Sequence, residues 1–152
     1  MLRFQEHEDF VEIRLVSQEP DNLPSRGDAY LSIQVSSAGF TGHNDLWVVA
    51  AALHCFCEDL LALERERRGQ AMLESISPGE LGLRIRSIDS LGHMAAEGFT
   101  GHGVQRQLFR PWHAVHFGFE FDPSQLVNAV HVDWIKRNAE QGARPNSHER
   151  RV

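Results

Sequence analysis

The chain has little cysteine. Only Cys55 and Cys57 occur in 152 residues, too few and too close together for a disulfide framework, so a reducing compartment, the cytoplasm, is the expectation. Long apolar runs are also missing. The longest, Leu46 to Leu53, is far short of a bilayer span, and the opening MLRFQEHEDF is too acidic for a signal peptide. No membrane association is expected. A basic excess is absent too, since fifteen Lys and Arg face twenty-one Asp and Glu for a net charge of -6. That balance argues against phosphate-backbone binding, and so against nucleic acid as the partner. Lysine is reduced to Lys136 alone, and the one dense arginine cluster, Arg65, Arg67 and Arg68, is interleaved with Glu64 and Glu66.

What remains is a soluble composition: 41% hydrophobic and 24% charged residues, typical of a folded domain. The length allows one core, so residues 1–141 are expected to form a single domain. The tail 142–152, GARPNSHERRV, has almost nothing to bury and is expected to be flexible.

Two-residue alternation marks strands. It appears in FVEIRLVS from Phe10 to Ser17, and in AYLSIQV from Ala29 to Val35, where Leu31, Ile33 and Val35 oppose Tyr30, Ser32 and Gln34. Apolar residues then recur in steps of three and four from Leu46 through Val49, Ala50, Leu53, Phe56, Cys57, Leu60 and Leu63. This spacing predicts a helix over 45–68, capped by Asn44 or Asp45 and stopped by Gly69. A hairpin turning at Pro78-Gly79 follows, with Leu81, Leu83 and Ile85 on one face. Two further strands, LGHMAAEGFT and PWHAVHFGFEF, flank a loop GHGVQRQ. In the last strand Val115, Phe117, Phe119 and Phe121 share a face with His113, and Trp112, Ala114, His116, Gly118 and Glu120 take the other. Asp122, Pro123 and Gln125 suit the start of a C-terminal helix to about Gln141. The expected fold is α+β: an antiparallel sheet of about six strands, one long helix packed on it and a C-terminal helix.

Chemistry is sparsely signposted. The string GFTGH occurs at Gly39–His43 and again at Gly98–His102. Glycines beside an aromatic suit turns and bulges, and the match stops at five residues, so no repeat is inferred. Should the two strand ends be neighbours, His43 and His102 would share a rim, and an alternative function as a metal protein or hydrolase would gather histidines there. Spacing argues otherwise for His113 and His116, which fall on opposite faces of a strand. Cys55 and Cys57 diverge on a helix, with Cys57 toward the core. GxSxG, SxxK, CxxC, HExxH, P-loop and GxGxxG patterns are absent. No catalytic, cofactor-binding or metal-ligating residue is indicated, and no cofactor is expected. Trp134 is expected to dock its helix.

One resemblance covers about residues 8–138. The turn AGFTG, the spacing of Trp47, Phe56 and Leu60 in W-x8-F-x3-L, and Phe119 to Pro123 as F-x-F-D-P together resemble small bacterial proteins of the WapI-like immunity type. What the resemblance implies is a non-enzymatic, acidic single-domain protein that binds and neutralises a toxin domain. The residues proposed to meet that partner are the exposed acids Glu58 and Asp59 and, on the outer face of the last strand, Trp112 and His116. A homodimer, through a sheet edge or the Trp134 helix, is the third reading.

Overall fold

The computed structural model describes residues 1–141; the expectation for the tail 142–152 lies outside them. Eleven elements follow in order: β1 (Leu2–Glu6), β2 (Asp9–Gln18), β3 (Ala29–Ser37), β4 (Phe40–Val48), α1 (Ala50–Glu66), β5 (Gln70–Glu74), β6 (Leu81–Ser87), β7 (Met94–Gly103), β8 (Trp112–Phe121), α2 (Gln125–Ala129) and α3 (Asp133–Gln141). The α+β class holds. The single six-stranded sheet does not: β1-β2-β3-β4 and β5-β6-β7-β8 form two antiparallel meanders of four strands each. Both halves therefore run four strands and then helix. GFTGH is not the mark of this recurrence, because it opens β4 in the first half and falls within β7 in the second.

Alternation explains the core. Ala29, Leu31, Ile33 and Val35 point inward from β3, Leu81, Leu83 and Ile85 from β6, and Phe117, Phe119 and Phe121 from β8, all in one cluster with α1. Two strands went unforeseen. β1 pairs Leu2 with Ile13 and Phe4 with Val11, burying its two apolar side chains. β4 occupies most of the segment expected to start the helix: Leu46 and Val48 point inward and Trp47 outward, its ring 5.1 Å from that of Tyr30.

Helix α1 begins at Ala50, after Val49 in extended conformation. Neither Asn44 nor Asp45 caps it; the Ala50 N–H donates to Asp28 Oδ1 at 2.9 Å, a carboxylate 22 residues upstream. At the other end the left-handed cap is Arg67, φ 58°, whose N–H donates to Leu63 O; Gly69, expected to stop the helix, also has positive φ, 103°, but two residues past the cap. The expected apolar stripe is confirmed from Leu53 onward: Leu53, Phe56, Cys57, Leu60 and Leu63 are buried, and the helix lies against β5 and α3. Burial pushes the Cys57 thiol up to about 12, while Cys55 is exposed. The C-terminal helix is broken in two by a turn at 130–132, where Val132 N–H donates to Ala129 O. Trp134 is buried on α3.

Side chains close parts of the open sheet edges. Gln125 pairs its amide with the backbone of Gln5, accepting from the N–H at 2.9 Å and donating to the carbonyl at 2.8 Å. Ser37 Oγ accepts from the Gly118 N–H at 3.2 Å on the edge of β8 and donates to its carbonyl at 3.4 Å. These contacts occupy backbone groups that would otherwise template another strand.

Candidate functional site

The two sheets meet where β1 and β3 pack against β8 and, at the other end, where β4 approaches β7 and β8. The contact needs small residues: a Cβ on Gly42 would lie 2.9 Å from Val115 Cγ2. Beside it the buried Asn44 crosses between sheets. Its amide nitrogen donates to Gly101 O at 2.8 Å, Thr100 Oγ1 at 3.2 Å and Glu80 O at 3.3 Å. Thr100 Oγ1 donates in turn to Glu80 O at 2.7 Å. A cleft of about 460 Å³ opens here, lined by the last three residues of each GFTGH string, Thr41–His43 and Thr100–His102, together with Trp112 and His113.

The two pentapeptides are thus neighbours, but their imidazoles do not meet. His43 lies on the outer face of the first sheet, with Nε2 3.1 Å from Ser32 Oγ and 3.2 Å from Asp45 Oδ1. His102 instead faces His113 directly across the β7–β8 ladder, ring centroids 6.5 Å apart. His102, expected in the loop GHGVQRQ, lies in a strand, because β7 continues to Gly103. Among the described residues no three His, Cys, Asp or Glu side chains gather closely enough to hold a metal ion.

Beyond the cleft the β7–β8 hairpin projects. Val104 N–H donates to Pro111 O at 3.1 Å and Arg106 N–H to Phe109 O at 2.9 Å, so the connecting loop is ordered to a tip at Gln107-Leu108. The tip is apolar and bare: Leu108 is 92% exposed, Phe109 65% and Trp112, at its base, 50%. Trp112 leans over Gly79, whose Cβ would lie 3.2 Å from its ring. No acidic residue occurs between Glu97 and Glu120, a stretch that carries Arg106, Arg110, His102, His113 and His116. This cationic, aromatic end on an acidic protein is a feature that sequence reasoning missed. The acid-free run was its available signal.

The four residues proposed for partner contact fall on two surfaces. Trp112 and His116 share the outer face of β8, His116 with its ring 5.8 Å from that of Phe99. His116 borders a second groove, lined by Met72, Arg84, Glu97 and Phe99 among others, whereas Trp112 borders the cleft between the sheets. Glu58 and Asp59 sit elsewhere, on α1, beside Leu61, Arg65 and Glu140. Glu58 pairs with His54 at 2.9 Å. The Asp59 carboxyl is held above its ordinary range by partial desolvation and by the neighbouring Glu58 charge, with His54 pulling the other way.

No helix among the described residues is long and apolar enough to cross a membrane. No family model, curated protein or solved structure matches the chain.

Proposed function

We propose that this chain is a non-enzymatic protein-binding module of the immunity type, occupying a partner such as a toxin domain. The observation that carries the reading is the β7–β8 hairpin: an ordered arm that presents Leu108, Phe109 and Trp112 to solvent. Single exposed apolar residues are ordinary, but several grouped on one ordered element have no folding use and suit a partner's pocket. Aromatic anchors in such a patch supply most of the affinity in many interfaces. The flanking Arg106 and Arg110 favour a pocket rimmed by acid. Glu58 and Asp59, on α1, belong to a different surface and are not needed for this contact.

The test is coprecipitation from the native host with three baits: the natural chain, Leu108→Ser/Phe109→Ser, and Glu58→Lys/Asp59→Lys. The hairpin variant should keep its thermal midpoint, since surface changes of this kind fall within about ±0.5 kcal/mol, and should lose the retained partner. The α1 variant should keep that partner. Equal retention by the hairpin variant and the natural chain would refute the reading.

A further inference from the structure

We propose that His102 and His113 form a two-histidine site for a divalent transition metal such as zinc, opening into the cleft between the sheets. The register pairs these residues directly, on the same face of adjacent strands, which sets their Cβ atoms roughly 4.5–5.5 Å apart. Their rings lie 6.5 Å apart between centroids. With zinc–nitrogen bonds near 2.0–2.1 Å, two imidazoles on one tetrahedral ion have centroids about 5 Å apart, a closure within reach of side-chain rotation.

Engagement and strand face together single out this pair: His116 also lacks a hydrogen-bond partner among the described residues, but it lies on the opposite face of β8, against Phe99. His7, His43, His54, His93 and His131 are each engaged by a carboxylate, a hydroxyl or a backbone carbonyl. His102 Nδ1 is shut away from solvent without a hydrogen-bond partner. An unpaired buried polar atom costs free energy, and no hydrogen bond from a neighbouring group fixes the tautomer of this ring. Neutral imidazole pairs suit zinc, copper and nickel. Two protein ligands leave the remaining positions to water or to a bound molecule, for which the cleft, with Asn44 and Thr100 in its wall, supplies room and polar groups. The proposal does not rest on the binding reading: Trp112 borders the cleft, but His102 and His113 lie on the inner side of their sheet, and Leu108 and Phe109 at the hairpin tip are not in the cleft lining.

Zinc titrated into the tag-free full-length chain tests it, by calorimetry and by long-range nitrogen–proton correlation of the imidazoles. One equivalent should move the ring nitrogens of His102 and His113 together. His102→Ala and His113→Ala should each weaken binding by no less than the roughly 10–100-fold that loss of an outer-shell partner costs. His116→Ala, on the same strand but the opposite face, should bind as the natural chain does. His102→Asn and His113→Asn repeat the test should the alanine variants unfold. The proposal is overturned by no heat and no shift in molar excess of zinc, by shifts confined to other histidines, or by natural affinity in either His102 or His113 variant.

Discussion

Replacing Asn44 by alanine would measure how much the junction between the two sheets contributes. The change deletes three donations from one amide group, yet the acceptors are not equally dependent on it. Glu80 O keeps the Thr100 hydroxyl at 2.7 Å and the Gly101 N–H at 3.1 Å. Thr100 Oγ1 still has Glu80 O. Gly101 O is the acceptor left without its Asn44 partner, in a buried residue at the wall of the cleft. The expected loss is therefore that of one orphaned buried group, about 1–3 kcal/mol, and not the sum of three bonds. Asn44→Asp sharpens the test, because a carboxylate there would face the carbonyl oxygens of Gly101 and Glu80 with no donor to offer. At neutral pH it should cost about 3–5 kcal/mol, as an uncompensated buried charge does. Protonation restores a donor, so the folded variant binds its proton more tightly than the unfolded chain, and its deficit should shrink as pH falls toward 5. Urea unfolding followed by tryptophan fluorescence at pH 7 and pH 5 gives both numbers, provided the slope against urea is unchanged. An alanine loss below about 0.5 kcal/mol, the level of ordinary surface changes, or a pH-indifferent aspartate variant, would show that Asn44 does not join the sheets.

The exposed Asp89–His93 pair should titrate as a coupled unit: the hydrogen bond from His93 lowers the Asp89 carboxyl below its ordinary 3.8, and the same bond raises the His93 imidazole above 6.5. Its stabilisation, present between those values, is lost below as Asp89 protonates and above as His93 deprotonates, and Asp89→Asn should return His93 to about 6.5 by NMR titration. Cys55 should react with a thiol reagent in the native state, and Cys57, raised to about 12 by burial, only after unfolding; two equally fast thiols would contradict the placement of α1. Phe56→Ala, at a fully buried position of α1, should cost about 3–5 kcal/mol in urea, and a much smaller loss would mean that α1 is not seated on the core.

The sequence was informative wherever one face of an element is buried. Leu31, Ile33 and Val35, or Phe117, Phe119 and Phe121, alternate without interruption, and their inward direction was legible. β4 was not, because Leu46 and Val48 alternate toward the core while Trp47, Val49 and the alanines that follow also satisfy helical spacing. The change of period at Val49 leaves no Gly or Pro as a marker. β1 offers only Leu2 and Phe4, too short a run to register. Folding two meanders rather than one sheet depends on contacts such as Gly42 against Val115 and Asn44 against Gly101, which join residues with no local relation. The His102–His113 pairing was within reach: a hairpin centred between Gln107 and Leu108 sets them opposite, but reading Gly101–Gln107 as loop hid the symmetry. Nothing in the sequence says whether Glu58 and Asp59 share a surface with Trp112 and His116; the fold places them apart.

The carboxylate that caps α1 is borrowed from the loop between β2 and β3. A segment that closes its first turn with its own side chain can form that turn before the rest of the chain arrives; this one cannot. The isolated stretch 50–66 should be mostly unstructured in water, short helices being marginal without tertiary support. Folding then acquires an order: the first meander must bring Asp28 into place before the helix has a firm beginning. Deletions that shorten the 19–28 loop should slow refolding while leaving the helix's own sequence untouched.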